Sequence, residues 1–530
     1  MTVPPDRGQA IARAAAAIAA VTIAARAVGL LRQVVLARTV GPTYLGNTYQ
    51  SANALPTILF EIVAGGALAS LVVPVLAGPV EEGDRETTRR TASGLLTWAV
   101  VGLVPVLLLG LLLRRPLMSL LVGDIADPEL RRAEIDVGAR MLVVFMPQLL
   151  LYGVGIVLTG VLQAHRRFLG PALAPLLSSV VVIGAYFSFA AQGGRGAEVQ
   201  GLDRSLERTL SVGTTLGVVA LTLSLLVPLA ALRLGLRPTL RLPTGVAPRV
   251  RRLAAAGAAG VVAQQLALVV VLRLANPEPG AVVVYQLAWT AFLLPWAVLA
   301  VPIATSAFPS LVATAATGDE PGYAAVSAPA LRGVVVTCAG AAAMLIAVAG
   351  PAAGLLIGAQ PVGDAASPAA LSRGIIAFAP GLLGYGVLAL VTRALYARDE
   401  SRGPATATLA GFGLVVAADI ALVAWARGAE AGPAWTVAAL GAGNSLGMSL
   451  AACLLLVQLR RSASGAALSG LRAATGLAAS GAVLAAAAGW LAASAIDGDS
   501  VLRDSAATAV GGLVALAAFT AVVRSGRSHV

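Results

Sequence analysis

Two arginines, Arg26 and Arg32, lie inside the first apolar segment of the chain. A charged residue at the centre of a membrane-inserted helix costs about 2.5–3.5 kcal/mol, so such residues normally face a wet cavity or a partner. Guanidinium groups bind phosphate oxygens through paired hydrogen bonds. The two arginines therefore predict a site for an anionic cargo, although their spacing places them about 120° apart around a straight helix.

The composition identifies the class of protein that must position these arginines. Of 530 residues, 58% are hydrophobic and 12% charged, and the mean hydropathy is +0.86. A soluble protein is excluded, because the chain contains many apolar runs long enough to cross a bilayer. The sequence predicts an all-α, multi-pass membrane protein.

About fourteen apolar segments are expected to span the membrane, which places both termini on one side. The positive-inside rule assigns that side to the cytoplasm, because the linker after the sixth segment contains arginines and no acid: Arg233, Arg237, Arg241, Arg249, Arg251 and Arg252. The linkers assigned to the opposite face contain most of the acids, among them Asp124, Asp127, Glu129, Glu134 and Asp136.

Several function classes are excluded by the residues that the chain lacks. The formal net charge of +12 does not indicate nucleic-acid binding, because lysine is absent and the arginines gather at segment ends. Cys338 and Cys453 lie in apolar segments and form neither a disulfide framework nor a metal-ligand cluster. His165 and His529 have no acidic cluster beside them, so we expect no catalytic residues and no enzyme activity.

An internal repeat predicts how the helices are grouped. The fourth and tenth segments share residues at identical spacing, which are Pro147, Tyr152 and Thr159 in one and Pro380, Tyr385 and Thr392 in the other. The second and eighth segments match more loosely. The two segments of each pair are six segments apart. Because six is even, matched helices run in the same direction, which indicates a parallel repeat about an axis along the membrane normal. We therefore predict two six-helix lobes, residues 1–232 and 233–459, and a C-terminal helical pair, residues 460–530.

Short motifs along the chain resemble those of one transporter family. They lie at residues 25–32, 40–42, 55–56, 66–70, 73–76, 162–168, 294–295 and 309–311. These motifs are similar to those of the MurJ (MviN) lipid II flippases, within the multidrug/oligosaccharidyl-lipid/polysaccharide exporter superfamily. The resemblance covers essentially the whole chain and is most specific in the first two segments.

The resemblance implies a function for the predicted anion site. The family moves lipid II, an undecaprenyl diphosphate bearing a disaccharide-pentapeptide, from the inner to the outer leaflet by alternating access. The matching arginines, Arg26 and Arg32, are then expected to bind the diphosphate. A bacterial cytoplasmic membrane and the cell-wall synthesis machinery are the implied location and partner.

The chain departs from the family's charges at several positions. Asn47 stands where many members have an acid, Phe60 where they have a basic residue, and Thr290 where they have an arginine. Glu61 is interpreted as a replacement for the acid common at Gly65, because one helical turn keeps the same face. We expect Glu61 to pair with Arg26 or Arg32 when no cargo is bound.

Three more residues complete the predicted sites. Arg273, in the seventh segment, is interpreted as a replacement for the arginine missing at position 290, with a snorkelling residue at a helix end as the alternative. Asn47 is included among the cargo-binding residues. By resemblance Asp419 lies at a cation-site position, with Asn444 as a second oxygen ligand; a structural acid bonded to nearby hydroxyls is the alternative. We expect no cofactor, and coupling to Na⁺, H⁺ or the membrane potential.

Other functions remain open at this point. An exporter of another polyprenyl-diphosphate-linked glycan, such as a teichoic-acid or polysaccharide precursor, would handle the same lipid diphosphate. A drug/cation antiporter would share the repeat but needs an acidic or aromatic cavity, which Arg26 and Arg32 do not provide. A purely structural membrane scaffold would need no central polar cavity.

Overall fold

The structure is a computed structural model that describes residues 5–123, 125–241, 246–358, 364–429, 432–463, 465–496 and 500–527. Within these ranges the regular secondary structure is helical throughout, which confirms the predicted class. The chain forms two compact units, Met1–Gln265 and Leu266–Val530. The predicted division at residues 232 and 459 stays a prediction.

The first unit contains nine α-helices and the start of a tenth among its described residues. They are α1 (Pro5–Thr39), α2 (Tyr44–Phe60), α3 (Gly66–Glu81), α4 (Arg85–Leu112), α5 (Arg114–Val122), α6 (Pro128–Phe145), α7 (Gln148–Ala164), α8 (Leu169–Ala191), α9 (Arg204–Ala230) and α10 (Val246–Ala275). A π-helical segment, Glu61–Gly65, joins α2 to α3.

The second unit begins within α10, and its described residues form nine further α-helices. They are α11 (Ala281–Pro295), α12 (Val301–Ala316), α13 (Glu320–Ile357), α14 (Pro368–Phe378), α15 (Gly381–Ala397), α16 (Arg402–Gly428), α17 (Thr436–Ser462), α18 (Leu471–Ser494) and α19 (Val501–Arg527). A π-helical segment, Trp296–Ala300, joins α11 to α12.

Short polar side chains start several of these helices. Asp84 accepts a hydrogen bond from the Thr87 N–H at the start of α4, and Asp203 accepts one from the Ser205 N–H at the start of α9. Such caps satisfy N–H groups that have no partner within the helix. The Ser205 N–H lowers the pKa of the Asp203 carboxyl below its ordinary value because it stabilises the charged form.

The described helices fit the predicted number of spans approximately. Eleven helical stretches are long and apolar enough to cross a membrane, and a twelfth is the pair α14 and α15, bent by 41°. The other two predicted spans coincide with α2 to α3 and with α10. One helix was not predicted: α5 is a nine-residue helix that follows α4 directly.

The sequence repeat coincides with repeated local structure. Pro147 and Pro380 directly precede α7 and α15, and each of these helices has 17 residues. In the second and eighth spans, a five-residue π-helical segment is followed by a 16-residue helix, α3 in one unit and α12 in the other. Single-turn π-helical segments occur frequently at functional sites, and each unit has one span of this kind among its described residues.

Each unit has its own packing. In the first unit α1 packs against α8, α2 against α6 and α7, and α7 also against α3 and α4. In the second unit α16 packs against α17, and the C-terminal helices α18 and α19 pack against each other and against α13. The predicted C-terminal pair therefore lies within the second compact unit.

Candidate functional site

The two arginines of α1 differ in exposure. Arg26 is exposed and Arg32 is half-buried. The structure shows no ion pair for either side chain in the part of the chain that it describes. Two unneutralised guanidinium groups on one apolar helix leave a positive field, which favours an anion.

Hydroxyl groups of three other helices surround Arg32. Tyr49 of α2, Tyr152 of α7 and Tyr186 of α8 all lie within electrostatic range of its guanidinium. The Tyr49 hydroxyl lies 2.9 Å from the Tyr186 hydroxyl and 2.6 Å from Thr214 Oγ1. These bonds join α2, α8 and α9 beside Arg32. Because Tyr49 and Tyr186 are buried, they position the arginine's surroundings and are not themselves open to a cargo.

A second set of hydrogen bonds ties the same helices together. Gln50 of α2 donates to Gln33 Oε1 of α1 over 3.1 Å. The Tyr152 hydroxyl donates to Gln148 Oε1 over 3.1 Å, and Gln148 Nε2 donates to Thr215 Oγ1 over 2.8 Å. The first of these bonds joins α1 to α2 beside Arg32, and the other two join α7 to α9.

Glu61 begins the first π-helical segment and is half-buried. Its carboxylate lies over Gly65, where a side chain would collide with it. Glu61 thus occupies the space that a side chain at position 65 would fill.

The expected pairing of Glu61 with Arg26 or Arg32 is absent. No ion pair joins them among the described residues of this conformation. The reason is the packing of the two helices: α1 packs mainly against α8, whereas α2 and the π-helical segment pack against α6, α7 and α3.

Two positions where family charges are missing lie in the protein interior. Phe60 is buried, packs with Leu103 and Leu149, and lies 5.9 Å from the ring of Tyr152. Asn47 is fully buried in α2 and has no surface open to a cargo in this conformation. In the second unit the Thr290 hydroxyl donates to the Gln286 carbonyl over 2.7 Å. This bond lies within α11, between residues one turn apart.

Arg273 lies in the last turn of α10 and is half-buried. Its side chain takes part in interactions within the structure, so it is not a free cation. The neighbouring Asn276 is buried, and its amide donates to the Leu272 carbonyl over 2.8 Å. Arg273 therefore lies at a helix end, as the snorkelling interpretation requires, and its role as a replacement for the arginine missing at position 290 stays a prediction.

The predicted ion site in the second unit brings two buried oxygen donors together. Asp419 of α16 is 0% exposed and Asn444 of α17 is 5% exposed. The Asp419 carboxylate lies against Gly443, directly before Asn444, where a Cβ would collide with it. Both carboxylate oxygens and Asn444 Oδ1 lack a hydrogen-bond partner among the residues that the structure describes.

These oxygens suit a hard cation in chemistry. Buried polar atoms without partners are costly, and carboxylate and amide oxygens are ligands of hard cations. No group of three or more histidine, cysteine or acidic side chains that could hold a metal occurs in the described part of the chain. A site with one carboxylate fits a monovalent cation or a proton.

Sequence reasoning missed a second buried acid. Glu134, assigned to an outer linker, lies within α6 and is 0% exposed. That linker assignment was wrong because α6 begins at Pro128, well before the apolar run becomes evident. Arg140, in the same helix, pairs with Glu207 of α9 at 2.6 Å. The helical spacing of Val137, Met141 and Glu134 was the available signal.

An aromatic cluster in the second unit was also missed. Trp289 of α11 lies within 6.4 Å, between ring centroids, of Tyr285, Phe292, Phe378 and Tyr385. The rings join α11 to α14 and α15. They pack the interior beside Asp419, which lies within electrostatic range of Tyr285.

The second unit also contains an apolar groove of about 520 Å³. It is lined by the end of α11, the middle of α13 and the C-terminal part of α19, with Leu299, Met344 and Phe519 among its walls. Arg524 lies at one end. A groove of this kind suits a long hydrocarbon chain whose charged end lies near an arginine.

Comparison with known proteins gives one consistent family. The family model described as "Lipid II flippase MurJ" matches residues 36–509. A probable lipid II flippase MurJ of Rhizobium meliloti is 24% identical over 440 residues, covering 81% of this chain and 78% of that protein. The lipid II flippase MurJ of Burkholderia cenocepacia is 24% identical over 404 residues, covering 74% of each. A Synechocystis relative is 28% identical, but the match spans only 41% of its length.

Solved structures show the same fold. A lipid II flippase MurJ in an inward closed conformation matches with a TM-score of 0.73 at 16% identity, covering 96% of this chain and 99% of that one. An inward-facing multidrug resistance transporter of the MATE family, in the MOP superfamily, matches with a TM-score of 0.66 at 14% identity, covering 83% and 94%. At these identities the likeness concerns the fold alone.

Proposed function

The chain belongs to the lipid II flippase MurJ family, and on that premise we propose how its own residues move lipid II. The protein transfers the undecaprenyl-diphosphate-linked peptidoglycan precursor from the inner to the outer leaflet by alternating access. Arg26 and Arg32 bind the diphosphate. The observation that supports this assignment is the pair of guanidinium groups on α1 that form no ion pair within the described ranges.

The diphosphate site follows from the chemistry of α1. Each guanidinium offers a planar fork of N–H donors that matches two phosphate oxygens. Arg26 is exposed and Arg32 is half-buried. Arg26 therefore contacts the head group first, and Arg32 binds it deeper in the protein, where the dielectric constant is lower. Charge-assisted bonds are stronger in such surroundings.

Glu61 tunes this site through its charge without a direct ion pair. Glu61→Gln is expected to strengthen binding of the lipid diphosphate, because it removes a half-buried negative charge from the unit that contains Arg26 and Arg32. Turnover is expected to slow, since release becomes harder. Titration of purified protein with lipid II, followed by a flipping assay, measures both effects. Weaker binding in the Gln variant would contradict this assignment.

The apolar groove along α13 and α19 is proposed to hold the polyprenyl chain. Met344→Trp would fill its middle and displace at least one isoprene unit. Each buried CH₂ contributes about 0.8 kcal/mol, so lipid II binding is expected to weaken at least roughly tenfold. The matched control is Leu513→Trp on α19, where the side chain is 67% exposed and outside the groove. Equal binding by the two variants would exclude the groove as the tail site.

Coupling is proposed to use Asp419 and Asn444. Their unsatisfied oxygens would bind Na⁺ or hold a proton, and the membrane potential would act on the bound charge. A bound cation supplies a positive charge that stabilises the buried carboxylate. The residues keep α16 and α17 together when the ion is present, which makes the packing of this unit depend on the ion.

The family is one of multi-pass membrane transporters of the bacterial inner membrane, and the cargo is lipid II. We propose further that both termini are cytoplasmic, that the protein works beside the cell-wall synthesis machinery, and that it performs no catalysis. The arginine-rich linkers support the orientation.

The direct test of function is depletion of the native protein followed by measurement of lipid II exposure on the outer leaflet. Exposure is expected to fall and cell-wall synthesis to stop. Normal exposure in cells without a second flippase would overturn the proposal. Loss of a different lipid-linked glycan would favour the exporter of a teichoic-acid or polysaccharide precursor, which needs the same diphosphate site.

A further inference from the structure

A strongly basic cavity lies in the first unit, apart from the arginines of α1. Its volume is about 490 Å³. Four arginines line it, two from the start of α4 and two from the segment after α9: Arg89, Arg90, Arg237 and Arg241. We call it the basic cavity. The proposed transport of lipid II uses none of these residues.

The segment after α9 is fixed to α4 along its length. The Arg237 N–H donates to Ser93 Oγ over 3.0 Å, and the Thr239 N–H donates to Thr97 Oγ1 over 3.0 Å. At its start, Arg85 donates to the Leu232 carbonyl over 3.0 Å. The backbone of this extended segment therefore forms hydrogen bonds with α4. The side chains of Arg237 and Arg241 do not take part in these bonds and can bind other partners.

The charges of the basic cavity are only partly neutralised. Glu86 pairs with Arg89 and Arg90, each at 2.6 Å. Arg237 and Arg241 are exposed, and neither forms an ion pair in the part of the chain that the structure describes. With no acid in its lining, the cavity has an excess of positive charge that favours a polyvalent anion.

Apolar side chains beside the cavity indicate where that anion comes from. Trp98 is 48% exposed and Leu240 is 58% exposed, and the Trp98 indole N–H donates to the Leu240 carbonyl over 3.0 Å. Tryptophan is enriched at the level of lipid head groups. Basic pockets on the cytoplasmic side bind phospholipid head groups, and the arginine-rich linker places this cavity on that side.

We propose that the basic cavity binds the phosphate head group of an acidic phospholipid from the surrounding leaflet. The guanidinium groups of Arg237 and Arg241 bind the phosphate oxygens, and the acyl chains lie along Trp98 and Leu240. The bound lipid holds the segment that links α9 to α10 against α4. A soluble polyanion is the competing ligand, because it would satisfy the arginines but not the apolar neighbours.

The test is a binding isotherm of phosphatidylglycerol to the purified full-length protein in phosphatidylcholine nanodiscs. The double variant Arg237→Gln/Arg241→Gln keeps the backbone bond to Ser93 and removes both charges. Each arginine near a charged surface contributes about a factor of five, so affinity is expected to fall by about thirtyfold. The control pair is Arg131→Gln/Arg132→Gln on α6, which is expected to bind as the unmodified protein does.

Three outcomes would overturn the proposal. Unchanged affinity in the double variant would exclude the basic cavity as the lipid site. Displacement of phosphatidylglycerol by an equal concentration of inorganic pyrophosphate would assign the site to a soluble anion. Lipid II transport by the double variant in vesicles of phosphatidylcholine alone should equal that of the unmodified protein, and a loss there would make the cavity part of the cargo path.

Discussion

Replacing Arg26 with alanine is expected to abolish growth of cells that depend on this protein for lipid II transport, at unchanged protein level. The guanidinium provides charge-assisted hydrogen bonds to the diphosphate, each contributing about 1.5–3 kcal/mol. Loss of one such bond lowers affinity by roughly 10–100-fold. Complementation of a depletion strain, with immunoblotting of the membrane fraction, measures the effect.

Two further variants make this prediction specific. Arg26→Lys is expected to restore partial activity, because an ammonium keeps the charge but loses the bidentate fork. Arg132→Ala removes an exposed arginine from α6 and is expected to support full growth. Normal growth of the Arg26→Ala strain would show that this side chain does not bind the cargo.

Asp419→Asn is expected to remove the cation dependence of transport. The amide keeps the shape of the buried side chain in α16 but cannot supply the negative charge that an ion or a proton requires. Transport of lipid II into vesicles, measured with and without a Na⁺ gradient and with and without a pH gradient, identifies the ion. The variant is expected to respond to neither gradient. Any remaining transport is expected to have the same rate with and without each gradient.

Glu134→Gln is the matched control for this experiment. Glu134 is also a buried acid, but it lies in the first unit, whereas Asn444 belongs to the second. The Gln variant is expected to retain the cation dependence of the unmodified protein. If Asp419→Asn kept its response to both gradients, the acid would be structural; if both variants lost it, coupling would not be specific to Asp419.

The sequence by itself determined the class, the helical architecture and the family. These follow from properties that are local in the chain: apolar runs of spanning length, the clustering of arginines in linkers, and the prolines repeated at Pro147 and Pro380. A repeat was evident because its residues recur at fixed spacing, and its parallel arrangement stays a prediction. The anionic nature of the cargo was predictable from Arg26 and Arg32, since charge inside an apolar helix has few uses.

Only the tertiary structure decided which parts of the chain lie together. Among the described residues Glu61 does not pair with the arginines of α1, because α1 packs mainly against α8, whereas the π-helical segment that contains Glu61 packs against α3 and α4. Glu134, which a linear pattern assigned to a linker, is a buried residue of α6, and the packing of α16 on α17 places Asp419 against Gly443, the residue before Asn444. Periodicity fixes which residues share a face of one helix, but the rotation and neighbours of that helix depend on contacts distant in sequence.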